Sequence, residues 1–170
     1  VVLCIQCSGA HRGLGSHVSK VRALYLDTTV WTVSQLALMH VIGNERSNTI
    51  WERRINVVGS KPVPLSDVAA KEGFVLQKYA LRRLTEGADS DSAPPGHTIL
   101  QLETAVRNLD VLGVLSIEAN LGPGFITDHL DSLRSIISEV NIREDAAPAE
   151  ILQFVALKLY LFLKGDHADR

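Results

Sequence analysis

The chain has 170 residues, 46% of them hydrophobic, and a formal net charge of −2; this is enough apolar material for one ordinary core or two small ones, and it excludes a disordered polyelectrolyte. Its longest apolar stretch, 151–163, is interrupted by Gln153 and Lys158 and falls short of the roughly 20 residues of a bilayer span, so no transmembrane helix is expected. The only two cysteines, Cys4 and Cys7, form one C-x-x-C; a secreted disulfide framework would want more pairs at wider spacing, which favours a reducing, intracellular compartment.

The charge is unevenly spread. Residues 1–60 hold six Lys/Arg against three Asp/Glu, and residues 61–170 hold eleven against sixteen. An anionic partner is therefore expected at the N-terminal part. No basic segment precedes an apolar one at the start, and the first residue is Val1 rather than Met, so the chain is expected to be a piece of a longer one.

In chain order, 1–5 is short, apolar and β-branched, suited to a strand or turn leading into the cysteine pair. Residues 10–14 suit a short helix stopped by Gly15. The segment 18–26 alternates and is rich in β-branched and aromatic residues, which predicts a strand, although neither face is cleanly apolar. Trp31, Leu38 and Ile42 recur at helical spacing and predict a helix over 30–42, ended by Gly43-Asn44 in a left-handed turn. A second helix is expected over 45–55, and the prolines of 59–64 mark a linker. Ser66-Asp67 caps the next helix, expected to run to about Leu84. The Gly-, Pro- and Ser-rich acidic stretch 87–97 is the clearest domain boundary. Beyond it, helices are expected over 99–106, 111–119, 128–140 and 150–163, a chain of short helices with glycine stops that suggests a helical array.

The sharpest chemistry lies in the first 27 residues. A C-x-x-C lets both thiolates turn toward one tetrahedral centre, but a closed structural zinc site needs four ligands, and His11 and His17 are the only nearby candidates to complete one. The pair alone fits half a zinc knuckle, a redox couple or two buried cysteines. Lys20 and Arg22 suit an acidic protein surface, membrane phosphates or plain solvent; Asp27 suits a helix cap or a partner contact. Trp31 and Trp51 suit the core, and Asn44 and Asn48 suit turn and interhelical hydrogen bonds. The modest charge, the lack of a C₂H₂ pattern and the lack of an aromatic stacking platform argue against nucleic-acid binding.

The run C-I-Q-C-S-G-A-H-R-G-L-G-S-H-V-S-K-V-R-A-L-Y-L-D, residues 4–27, closely resembles the zinc-finger segment of the ArfGAP family, the GTPase activators of Arf small G proteins. The likeness continues through the Trp31 helix, Ile42-Gly43-Asn44, Asn48 and Trp51-Glu52, and a later helix with Lys71-Glu72, Phe74, Lys78-Tyr79 and Arg82-Arg83. The resemblance implies an α+β, mostly helical protein, with a zinc-knuckle domain and small sheet over 1–86, a linker over 87–97 and a degenerate ankyrin-like helical region over 98–170. It implies that Cys4 and Cys7 are the second of two C-x-x-C pairs on structural zinc, the first pair being absent. Arg12, separated from Cys7 by the four residues Ser8 to His11, would be the arginine finger.

Lys20, Arg22 and Asp27 would meet the partner, a GTP-bound Arf-family G protein, Asp27 alternatively orienting Arg12, with Asn44 and Asn48 in the framework that supports the finger; the ankyrin-like region would meet other proteins. The implied activity is acceleration of GTP hydrolysis in trans, so the chain would be a regulator and not itself a hydrolase, cytoplasmic and held peripherally at membranes through flanking domains. The alternative is a non-catalytic zinc-knuckle and ankyrin scaffold.

Overall fold

The structure, a computed structural model, describes residues 1–26, 31–57, 59–86 and 99–165. Cys4 sits at the N-cap of α1 (Ile5–Gly13), where its sulfur accepts the Cys7 N–H at 3.4 Å. His11 and Arg12 occupy the last turn, where the positive charge of Arg12 suits the carbonyl end of the helix dipole. Leu14 closes α1 and Gly15 follows at φ +85°, so the helix stops where expected but begins five residues sooner, because a cysteine cap serves as a start signal.

The segment after α1 is not a strand, and no strand occurs among the described residues. The expected strand and small sheet are corrected on this point. Alternation sets Lys20 and Arg22 on the same side as Leu24 and Leu26, and all four side chains are exposed. With no apolar face to bury, nothing favours a pairing partner. The segment is instead tied down at two points: Ser19 bonds His11, and the Trp31 indole donates to the Ala23 carbonyl at 3.3 Å.

Helix α2 (Val33–Ile42) starts on a capping box. The Thr32 hydroxyl accepts the Gln35 N–H at 3.2 Å, and the Gln35 side chain accepts the Thr32 N–H at 3.0 Å, satisfying two donors that a helix start otherwise leaves open. Gly43, at φ +59°, ends α2 and opens α3 (Asn44–Trp51); a β-carbon is disfavoured at that angle. The Asn44 amide then pairs both ways with the Val2 backbone, at 2.7 and 2.9 Å, joining the chain's first residues to α3. A 3₁₀ turn, Ile55–Val57, follows.

Asp67 caps α4 (Val68–Val75) through the Ala70 N–H at 2.7 Å. The helix does not continue as a regular coil to Leu84. It widens into a π turn at Leu76–Ala80, and Arg82 takes φ +51°. The fully buried Leu84 then accepts the Arg54 N–H through its carbonyl at 2.9 Å. Helices α1 and α4 pack on each other.

The remaining helices are α5 (Ile99–Arg107), α6 (Val111–Leu121), α7 (Pro123–Asp128), α8 (Leu130–Glu139) and α9 (Pro148–Gly165). Asp110 caps α6 through the Gly113 N–H at 2.9 Å. Leu102, Val106, Val114, Ile126, Leu133 and Leu157 form the centre of one apolar core. That core also takes Val41 of α2, with Leu38, Ile42 and Ile50 against it, as α2 lies along α9 and α3 meets α6. The expected boundary at 87–97 lies outside the described residues. Among the described residues no helix is long and apolar enough to cross a membrane.

Candidate functional site

The Cys4 thiol is exposed and the Cys7 thiol half-buried. The N–H and thiol of Cys7 hold Cys4 below the ordinary thiol range, while burial first, and then the hydrogen bond and charge of Cys4, push Cys7 up. Two cysteines on the first turn of one helix, with a sulfur already accepting the N3 amide, are suited to one edge of a tetrahedral thiolate site. They are not a closed site: among the described residues no group of three or more His, Cys, Asp or Glu is gathered to hold a metal.

Neither histidine completes the set. His11 is buried, with Nδ1 2.8 Å from the Ser19 hydroxyl oxygen. Burial, with the positive charges of Lys78 and the N-terminus, lowers its pKa to about 4, so the ring is neutral at physiological pH. His17 is exposed, and its ring folds back over Gly15, where a β-carbon would come within 2.7 Å of it.

Arg12 is exposed at the end of α1, and its guanidinium donates to Ser8 Oγ at 3.3 Å. That long bond to a hydroxyl leaves most of the five guanidinium donors turned toward solvent. Lys20 and Arg22 are exposed on the segment that Ser19 ties to His11. The His11–Ser19 bond thus brings Arg12 and Lys20 close along the chain path, each being the next residue after one of its two ends. Asp27 lies outside the described residues.

Behind this surface is a polar cluster in which Asn48 makes the interhelical hydrogen bond expected of it, to Lys78. Lys78 is 4% exposed, and its ammonium donates at 2.7 Å to both Glu52 and Asn48 Oδ1. Glu52 also takes Lys61 at 2.7 Å. Burial alone would raise the Glu52 carboxyl, but the hydrogen bonds and charges of Lys61 and Lys78 outweigh it and hold the carboxyl below its usual range. Tyr79 sits between His11 and Trp51 in tilted ring contacts, with centroids at 4.9 Å and 5.2 Å. A second buried lysine, Lys71, donates to Gln6 Oε1 at 2.6 Å and to the Pro64 carbonyl at 2.7 Å, fixing α4 to the residue between the two cysteines. The available signal was spacing: Lys71, Val75 and Lys78 share one helical face, and that face is buried.

These features coincide with a match to a family model. The ArfGap model, "Putative GTPase activating protein for Arf", covers residues 1–88. The chain is 31% identical over 161 residues to the ADP-ribosylation factor GTPase-activating protein AGD3 of Arabidopsis thaliana, covering 82% of this chain and 19% of that protein. To AGD1 of the same plant it is 52% identical over 104 residues, 48% of this chain and 13% of that protein. To the human Arf-GAP with coiled-coil, ANK repeat and PH domain-containing protein 2 it is 38% identical over 95 residues, 56% of this chain and 12% of that protein. The chain spans less than a fifth of the length of these relatives. Because the family match takes in the cysteine pair, Arg12 and the whole polar cluster behind them, over more than half of the chain, the chain belongs to the ArfGAP family.

Proposed function

We propose that the chain accelerates GTP hydrolysis on an Arf-family G protein by presenting Arg12 to the reacting phosphates. The observation that carries this reading is an exposed arginine whose guanidinium has, among the described residues, a single hydrogen bond, to Ser8, at the end of a helix in an ArfGAP domain. As water attacks, negative charge spreads over the phosphoryl oxygens, and a planar, permanently charged guanidinium can bridge several of them. An arginine supplied in trans is worth about 10³–10⁵ in rate, or roughly 4–7 kcal/mol of barrier. A lysine has neither the fork nor the reach. The GTP, its magnesium ion and the water belong to the partner, so the chain acts as a regulator of another protein's hydrolysis.

Cys4 and Cys7 would supply two thiolates to a structural zinc whose other ligands come from outside the described residues. Zinc in such a site contributes folding free energy; Cys4, as the cap of α1, would pass that rigidity to the helix that ends in Arg12. Lys20, Arg22 and Asp27 would contact the G protein around the finger. Helices α5 to α9 would serve as an ankyrin-like protein-binding array, and attachment at membranes would come through flanking domains of a cytoplasmic protein.

The test adds to the chain an upstream segment carrying a second C-x-x-C, loads it with zinc, and mixes it with a GTP-loaded Arf. Acceleration well above the intrinsic rate is expected. A folded, zinc-loaded protein that binds Arf without accelerating hydrolysis would mean a scaffold instead.

A further inference from the structure

Arg12 directly follows a side chain that the fold grips from two directions. His11 is 4% exposed, with Nδ1 2.8 Å from Ser19 Oγ and its ring 4.9 Å from that of Tyr79. Tyr79 rests on Trp51 of α3 at 5.2 Å, and the Lys78 ammonium lies 4.9 Å from the Tyr79 ring centre. That ammonium is anchored to α3 through Asn48 and Glu52, each at 2.7 Å. An unbroken line of contacts therefore runs from α3 through the π turn to the last turn of α1. The π turn, closed by the Leu81 N–H on the Leu76 carbonyl at 3.0 Å, sets two consecutive residues on the two neighbours, Lys78 on α3 and Tyr79 on α1. Such turns recur at functional sites.

A charged cluster is an expensive way to fill this space. Apolar residues of similar volume are often neutral or better for stability where a buried ion pair stands. Directional bonds instead fix one geometry. Among the described residues the Arg12 guanidinium has only Ser8 to orient it, so its placement there depends on the backbone of the α1 last turn. A finger misplaced by about 1 Å can lose roughly 100-fold in rate.

We propose that His11 and Tyr79, backed by Lys78, Glu52 and Asn48, are positioning residues that fix the last turn of α1 and thereby hold Arg12 in register with the partner's phosphates. This rests on the activator reading above. None of these side chains needs to touch the G protein. Their loss should lower kcat for the GTP-loaded partner while leaving its KM nearly unchanged.

The experiment compares wild type, Arg12→Lys, Tyr79→Leu, Tyr79→Phe and Ser19→Ala, each on the zinc-loaded chain extended upstream, by steady-state hydrolysis over a range of Arf·GTP concentrations. Tyr79→Leu is expected to lose about 100-fold in kcat with KM within about threefold. Tyr79→Phe keeps the ring and should stay within about threefold of wild type in both constants. Ser19→Ala removes one neutral hydrogen bond to His11, a change that leaves the fold standing, and should lower kcat by about five- to tenfold.

Unchanged kcat in Tyr79→Leu and Ser19→Ala overturns the proposal, as does a loss in Tyr79→Phe equal to that in Tyr79→Leu. If Tyr79→Leu melts below the assay temperature, Ser19→Ala decides alone, a lowered kcat at constant KM supporting the proposal and an unchanged kcat overturning it. A silent wild type would bring down the activator reading and this inference together. An active wild type with a silent Arg12→Lys and unchanged Tyr79 and Ser19 variants would bring down this inference only.

Discussion

Among the described residues of 1–86 the buried apolar side chains are Ala10, Ala37, Val41, Val75 and Leu84, whereas nineteen apolar side chains are buried among the described residues of 99–165. The buried polar groups run the other way: Ser8, His11, Ser47, Lys71, Lys78 and Thr85 in the first region, and Glu118 in the second. The second region is held by apolar area, which is strong, non-directional and tolerant of shape-conserving change. In the first, α2 and α3 share that apolar core, while the part around α1 and α4 is held by charge-assisted hydrogen bonds and tilted ring contacts, which specify geometry but fail when one member is removed. Aiming a side chain requires specified geometry, and the arginine of the proposed site sits in the region that has it.

The contrast can be broken most easily at Glu52. Glu52→Leu leaves the Lys78 ammonium buried with Asn48 as its remaining strong acceptor, and a loss of about 3–5 kcal/mol is expected in urea unfolding. A loss under about 1 kcal/mol would mean that solvent relaxation, not the pair, satisfies Lys78. In the second region Leu133→Ala, at a side chain with 0% exposure, should cost about 3 kcal/mol, while the volume-conserving Leu133→Met should cost under about 1.5 kcal/mol. Equal sensitivity to both substitutions would show that this region is as geometry-bound as the first.

Acid should strike the first region specifically. His11 has a folded pKa of about 4 against an unfolded value of 6.5, so the unfolded chain takes up its proton first as pH falls. The contribution of the neutral, buried ring is complete above about pH 6.5 and is lost as pH drops toward about 4, on the order of 2–3 kcal/mol. Urea unfolding at pH 7.5 and 4.5 should show that slope in wild type, and His11→Phe should flatten it. An identical slope in both would assign the acid sensitivity to carboxylates elsewhere.

The smallest effect should not distinguish the regions. Asp67→Ala and Asp110→Ala each remove one N-cap acceptor, for α4 and α6, and each should cost about 1 kcal/mol by thermal melting. Clearly unequal losses would show that one of the two helices is held mainly by its cap.

How much of this could be read beforehand follows the same division. The ends of α5 and α6 were legible to within two residues, because Asp110 and Gly122 mark them with local chemistry. Helix α7 has no counterpart among the expected elements, although Pro123 fits the first turn of a helix. The apparent strand at 18–26 came from alternation alone, and alternation without an apolar face carries no drive to pair. The sequence singles out Lys71 and Lys78 only through the family likeness; the placement of Gln6, Asn48 and Glu52, between 26 and 65 residues away along the chain, makes them interior. Arg12 was legible through its spacing from Cys7, and Asn48, Trp51-Glu52 and Lys78-Tyr79 through the family likeness, but their contacts with one another were not, since a network of long-range contacts leaves no local period.

The account stands most directly on single-turnover GTP hydrolysis by a GTP-loaded Arf with wild type or Arg12→Lys protein, both zinc-loaded, matched in melting temperature and carrying the upstream cysteine pair. It predicts a loss of about 10³-fold or more in the stimulated rate for Arg12→Lys, with affinity for the GTP-loaded partner nearly unchanged. Stimulation by Arg12→Lys equal to that of wild type would contradict it.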